Sequence, residues 1–219
     1  MASSASVTYY FDPVSPYAWL AAAALPRIES AGAQVLLQPV LFAGLLNAHG
    51  QKGPAEIAAK RAYTFRDVMR QAASNGLPFA GPPGHPFNPL LALRMCVALA
   101  DQAQRRRLAL ALMAACWERG EDISDAATLV RLARECDLDG AQLAEAAQQA
   151  EIKQRLASDT EQAIAAGVFG VPTFRYGDEL FWGADRIEAL LWRLQGNTID
   201  EKQLAEFLAR APLAQRRMR

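Results

Sequence analysis

The sequence predicts an α/β protein in which one small sheet, drawn from both ends of the chain, carries a large all-helical insertion. Three observations predict it: a strand–helix–strand pattern at the start, a long middle in which almost every residue favours helix, and a hairpin followed by a helix near the end. Strands confined to the two ends, with helices between, are built most simply as one sheet plus a helical lobe.

Val7-Thr8-Tyr9-Tyr10-Phe11 is β-branched and aromatic and reads as the first strand. Asp12-Pro13 breaks it, and the Ala/Leu-rich run from Tyr17 to Ala31 reads as one helix. Gln34 to Val40 reads as the second strand, parallel to the first because a crossover helix joins them. From Gly44 to about Gly84 the chain is polar and punctuated by Gly and Pro, with one helix from about Pro54 to Asn75. From Asn88 to about Ala166 helix formers dominate, broken at Gly120, at Ser124-Asp125 and at Asp137-Leu138-Asp139-Gly140, where Ser124 and Asp139 look like caps. Pro172 to Tyr176 and Glu179 to Trp182 flank Gly177-Asp178 and read as a hairpin. Helices from about Asp185 to Leu194 and from about Asp200 to Ala209 follow.

Composition narrows the class. The 219 residues are 52% hydrophobic and 21% charged, ordinary values for a globular protein. The 23 basic and 23 acidic side chains balance, which argues against nucleic acid or an anionic membrane as partner. Arg105-Arg106-Arg107 reads as a solvated helix face, and Arg216-Arg217-Met218-Arg219 as a frayed tail. Met1 to Phe11 lacks the basic and apolar regions of a signal peptide, and no later run is apolar enough to span a bilayer. A cytoplasmic protein is expected. Cys96, Cys116 and Cys136 form no Cys-x-x-Cys pair and read as buried free thiols. His49 and His85 have no ligand-spaced partner, so no metal site is expected.

Two short stretches carry the chemistry. Ser15 falls at the N-cap of the first helix and Pro16 at its first position, where a missing N–H does no harm. A hydroxyl there sits beside unpaired backbone donors at the positive end of a helix dipole. It is either a plain cap or part of a corner that holds an anion such as a thiolate. Gly167-Val168-Phe169-Gly170-Val171-Pro172-Thr173 leads into the third strand, and its Val171-Pro172 bond is either an ordinary trans bond or a cis one. A cis bond would turn the Val171 peptide groups outward, where an extended thiol ligand could pair with them.

Taken together, these pieces resemble the thioredoxin fold in its DsbA-like form. More narrowly, Phe11-Asp12-x-x-Ser15-Pro16-Tyr17, Val168-Phe169-Gly170-Val171-Pro172-Thr173 and Phe181-Trp182-Gly183-Ala184-Asp185-Arg186 resemble the 2-hydroxychromene-2-carboxylate isomerases, relatives of the kappa-class glutathione transferases. Gly53-Pro54-Ala55 and Tyr63-x-x-x-Asp67-x-x-Arg70 fit the same pattern. The resemblance implies a thioredoxin-like domain from residues 1-43 and 160-196, an inserted helical domain 44-159 and a C-terminal helical extension 197-219.

What the resemblance implies can be stated residue by residue. Ser15 and Ala18 stand where dithiol oxidoreductases carry their cysteines, so disulfide exchange is impossible here. Ser15 would instead hydrogen-bond the sulfur of glutathione and favour its thiolate. Val171, beside Pro172, would pair with the cysteinyl part, and Trp182, Gly183, Ala184 and Asp185 would face the γ-glutamyl end. Ala184 departs from the Asn or Ser common in relatives, which removes one side-chain contact. Gly50, Gln51, Lys60 and Arg61 are the substrate-side residues, with Gln51 where relatives commonly have Asn. Lys60-Arg61 is equally readable as a solvated helix face. Tyr63, Asp67 and Arg70 share one helix face and read as a structural clamp.

The implied activity is a glutathione-dependent isomerisation linking 2-hydroxychromene-2-carboxylate and trans-o-hydroxybenzylidenepyruvate, or acting on a similar aromatic keto acid, in a homodimer. A kappa-like glutathione transferase, a non-catalytic thioredoxin-like binding module, and a serine hydrolase with His49 or His85 as base are the alternatives.

Overall fold

A computed structural model of the chain describes residues 5–214, so the basic tail at Arg216–Arg219 lies outside the described residues. Four strands form one mixed sheet in the order β2-β1-β3-β4, with β1 at Ala5–Phe11, β2 at Ala33–Pro39, β3 at Thr173–Tyr176 and β4 at Glu179–Trp182. β1 runs parallel to β2 and antiparallel to β3, and β3 runs antiparallel to β4. Tyr9 sits opposite Leu37 on one side and Phe174 on the other. Its ring stacks on Phe174 at 4.8 Å and on Phe11 at 5.6 Å, which fixes the centre of the core. Its hydroxyl is not wasted: it donates to the Ala18 carbonyl at 2.5 Å and ties the sheet to the first helix.

The expected helix over Tyr17 to Ala31 is two helices, α1 (Pro16–Ala23) and α2 (Leu25–Ser30). Pro26 explains the break, because a continuous helix needs an N–H there that proline lacks. A helix absent from the sequence reading, α3 (Phe42–Ala48), follows β2. Gly44 weakens its intrinsic propensity, and bonds from elsewhere in the chain hold its start. Leu41 donates to Thr160 Oγ1 and Phe42 to Asp12 Oδ2, each at 3.0 Å. The helix expected from Pro54 begins instead as a short 3-10 turn, Pro54–Glu56, with α4 proper at Ala58–Ser74.

The remaining insertion comprises α5 (Leu90–Ala98), α6 (Gln102–Trp117), α7 (Ala126–Glu135), α8 (Gly140–Ala146) and α9 (Ala150–Ala165). Asp139 caps α8 as expected, but Asp125 rather than Ser124 caps α7, accepting from Thr128. Ser124 is instead turned toward Asp122. Arg105 departs furthest from expectation. It is 5% exposed, and its guanidinium donates to the carbonyls of Cys96, Leu99 and Leu37. It therefore closes the end of α5 onto β2, while Arg106 reaches Glu29 and only Arg107 is half-exposed. Cys96, Cys116 and Cys136 are buried free thiols.

After the hairpin come a 3-10 turn at Ala184–Arg186, α10 (Ile187–Leu194) and α11 (Glu201–Leu208), whose Leu204, Phe207 and Leu208 are exposed. No helix among the described residues is long and apolar enough to cross a membrane.

Candidate active site

The site begins with the turn that ends β1. Every polar backbone group from Pro13 to Ser15 has a partner, and two of the partners, Trp117 and His85, come from distant parts of the chain. The Pro13 carbonyl accepts from the Trp117 indole at 2.9 Å, and the Val14 N–H donates to Asp12 Oδ1 at 3.0 Å. The Val14 carbonyl meets His85 Nε2 at 2.9 Å. A carbonyl can only accept, so Nε2 carries the proton. His85 Nδ1 is then a bare acceptor, buried and without a partner among the described residues. Ser15 N–H closes the turn on the Asp12 carbonyl at 3.0 Å.

Ser15 is the N-cap of α1, accepting from the Ala18 N–H at 3.3 Å, with Pro16 at the first helical position. The same hydroxyl lies 3.5 Å from the Val171 carbonyl, a long contact at best. The two stretches singled out in the sequence therefore face each other. The Val171-Pro172 bond is cis, and the Val171 N–H makes no hydrogen bond to a described residue. Gly183 N–H donates to the Pro172 carbonyl at 2.9 Å, which brings the third motif to the same corner. Gly183 has φ +114°, a conformation open to glycine, and a Cβ there would strike the Asp185 carboxylate. Beyond it the N–H groups of Ala184 and Asp185 have no partner among the described residues at the start of the 3-10 turn. Asp185 itself pairs with Arg186 at 3.0 Å. At Gly170 a Cβ would meet the Trp182 indole nitrogen at 2.7 Å, so the bare backbone is what lets Trp182 lie there, edge-on to Phe169.

One cavity of about 790 Å³ joins these groups, within the usual range for small-molecule sites. Ser15, Val171, Pro172 and the stretch from Trp182 to Asp185 line one side of it. The insertion contributes Gln51, Lys60 and Arg61 together with Phe65 and Phe87, and Phe42, which packs against the cluster holding Val171, also lines the cavity. Gly50 does not reach the cavity; it occupies a left-handed turn position at φ +59° just before Gln51. None of the three cysteines lines it. Arg61 is exposed and lies over the Phe65 ring at 5.3 Å, so its charge is presented beside an aromatic face. The clamp expected among Tyr63, Asp67 and Arg70 is different in composition. Asp67 accepts from the Tyr17 hydroxyl at 2.8 Å and from Gln71 at 2.7 Å, tying α1 to α4, while Tyr63 is 64% exposed.

Comparison with known proteins fits this geometry. The DSBA-like thioredoxin domain matches residues 6–195. The chain belongs to the DsbA-like thioredoxin family. Relatives include 2-hydroxychromene-2-carboxylate isomerase of Sphingobium xenophagum, 28% identical over 190 residues, covering 84% of this chain and 95% of the relative. Glutathione S-transferase kappa 1 of Homo sapiens is 26% identical over 200 residues, covering 84% of this chain and 88% of the relative. Among solved structures, a 2-hydroxychromene-2-carboxylate isomerase superposes with a TM-score of 0.79 at 24% identity, covering 92% of this chain and 98% of that one.

Within the DsbA-like frame, the sequence motifs located the Ser15, Val171 and Gly183 corner but passed over two groups. Asp12 stands in the first motif with no role that the sequence suggests, yet it is fully buried and braces the turn. His85 offers in sequence only a ligand or a base, and nothing local signals that it grips Val14. Burial pushes the Asp12 carboxyl up to about 7 against the pull of its two N–H donors. Burial, with the nearby Arg61 charge, lowers the His85 pKa against the pull of the Val14 carbonyl.

Proposed function

We propose that the protein is a glutathione-dependent isomerase of aromatic keto acids, acting on 2-hydroxychromene-2-carboxylate and trans-o-hydroxybenzylidenepyruvate or a compound of the same kind. The observation that carries this reading is the shared cavity, which brings together the Val171 peptide group, the Ser15 hydroxyl, several aromatic rings and Arg61. The named relatives support the same chemistry.

The corner fits glutathione. The free Val171 N–H and the nearby carbonyl offer an extended peptide both partners of a strand pair. The N–H groups of Ala184 and Asp185 suit a carboxylate, and Asp185 suits an ammonium. When bound, glutathione supplies a thiolate nucleophile. Ser15 donates its hydroxyl proton toward that sulfur, and the start of α1 adds partial positive charge, both of which favour the ionised thiol. Lys60 and Arg61 would hold the substrate's carboxylate while Phe42, Phe65 and Phe87 exclude water from its ring.

The kinship to glutathione S-transferase kappa 1 supports a second reading, conjugation of an electrophile by the same activated thiol. Titrating glutathione into wild type and Ser15→Ala by calorimetry, with thiolate absorbance followed against pH, tests the shared part. A thiol pKa depressed in wild type and less so in the variant is expected. Assaying isomer beside conjugate then separates the readings: a stable adduct with no isomer overturns the isomerase.

A further inference from the structure

Asp12 joins two walls of the cavity through one carboxylate. Its Oδ1 accepts the N–H of Val14, the residue before Ser15, and its Oδ2 accepts the N–H of Phe42, the first residue of α3, each at 3.0 Å. The side chain is fully buried and has no ion-pair partner among the described residues. α3 needs the contact, because Leu41 at its N-cap contributes no side-chain hydrogen bond. It is also a cavity wall: Phe42, Ala43, Leu46 and Asn47 line the site.

Burying an unpaired carboxylate costs stability, and a neutral amide of the same shape removes that cost while giving up one of the two N–H bonds. A group that weakens the fold while spanning two parts of a site is better explained by what it positions. We infer that Asp12 is a positioning residue whose ionised carboxylate locks the Ser15 turn to the head of α3, setting the distance between the thiol corner and the wall that meets the substrate. The lock itself follows from the two hydrogen bonds; only its consequence for ligand binding rests on the glutathione reading above.

Only the carboxylate can accept both N–H groups fully, since a carboxylic acid turns one oxygen into a donor. Titratable groups around the same cavity are Tyr17 from α1, Lys52 and Glu56 before α4, Lys60, Arg61, Tyr63 and Asp67 on α4, His85 in the loop before α5, and Asp185 with Arg186 after β4. His49 caps the far end of α3. None of them moves the Asp12 proton: burial raises its pKa to about 7 and the two N–H donors oppose that. The raised value means that Asp12 favours the fold below the ordinary carboxylate range, an advantage lost as pH rises through about 7. Fold stability and site geometry thus ask for opposite protonation states of one side chain.

Asp12→Asn separates them. At pH 8, glutathione affinity measured by calorimetry is expected to fall about tenfold, the scale of one lost hydrogen bond to a charged group. The melting temperature should stay the same or rise, whereas a purely structural brace would lower it. Unchanged affinity overturns the proposal. If the variant melts lower, Phe42→Pro against Phe42→Ala decides. Proline is tolerated at a first helical position but has no N–H, so binding weaker than in the alanine variant supports the lock and equal binding overturns it. Failure of wild type to bind millimolar glutathione would instead overturn the proposed function. The lock is then read without ligand, from the amide nitrogen shifts of Val14 and Phe42 against pH. One common midpoint near neutrality, absent from Asp12→Asn, supports it; separate midpoints or no movement overturn it.

Discussion

Around Ser15 and Val171 the groups that face the cavity are short, buried and fixed, whereas α4 presents long, exposed side chains. Ser15 is 7% exposed, Val171 6%, and the turn before them is held by Asp12, Trp117 and His85. Across the cavity Lys60, Arg61 and Tyr63 stand on the outer turns of α4. A rigid corner made mainly of peptide groups suits one invariant ligand, because the cost of ordering is met on folding. Flexible cations and aromatic rings suit substrates that differ in detail while sharing a carboxylate and a ring. The contrast predicts that damage to the first wall should abolish chemistry whatever the substrate, and that damage to the second should change selectivity.

The largest effect should come from Ser15→Ala. Losing the hydroxyl beside the sulfur is expected to lower kcat about a hundredfold, the scale seen when a positioned donor to a developing or held anion is removed. The loss should be the same for every substrate tested. A loss that differs strongly between substrates would mean that Ser15 acts on the substrate, and the contrast between the walls would break.

Arg61→Ala should act from the other side. KM for an aromatic keto acid is expected to rise about tenfold, as for one charge-assisted hydrogen bond, with glutathione affinity unchanged. A similar rise for an analogue lacking the carboxylate would show that Arg61 works through its stacking on Phe65 instead.

The same contrast explains how much could be read from the sequence. Ser15-Pro16 and Val171-Pro172 are legible because their roles are local: a cap and a strand entry each need particular residues in a row, whereas Gly183-Ala184 is placed by resemblance and its glycine-dependent turn emerges only in the structure. The strands were legible for the same reason, within two residues at each end. What escaped depends on partners far away in the chain. α3 contains Gly44 and reads as a loop until Asp12 and Thr160 supply its first bonds. Arg105 looks like its solvated neighbours until the carbonyls of Leu37, Cys96 and Leu99 surround it. Gln51, Lys60 and Arg61 were placed by resemblance and do line the cavity, whereas Gly50, beside them in sequence, does not.

A smaller effect probes the join between the walls. Tyr17→Phe removes the hydroxyl that bridges α1 to Asp67 on α4. Stability should fall by about 1 kcal/mol, as for one partly buried hydrogen bond, and denaturant midpoints measure it. KM for the keto acid should rise more than glutathione affinity changes, since α4 carries the cations. Equal changes in both would mean that the walls move as one body.

The smallest expected effect is the most diagnostic of that join. His85 enters from the insertion and grips the Val14 carbonyl of the thiol corner through Nε2. Burial lowers its pKa, so the fold prefers the neutral ring. Its contribution is therefore present above the unfolded value of about 6.5 and lost as pH falls through the lowered folded value. Asp12 works in the opposite sense, losing its contribution as pH rises through about 7. Melting temperatures of wild type and His85→Gln from pH 8 to pH 5 isolate the histidine, because Asp12 titrates in both proteins. Wild type should lose more stability on acidification than the variant, which keeps a donor for Val14 and has nothing to protonate. If the two curves run parallel, the imidazole is already charged or already solvated in the fold. The Val14 contact would then not depend on a neutral ring, and the Trp117 indole on the Pro13 carbonyl would be the insertion's pH-independent hold on the thiol corner.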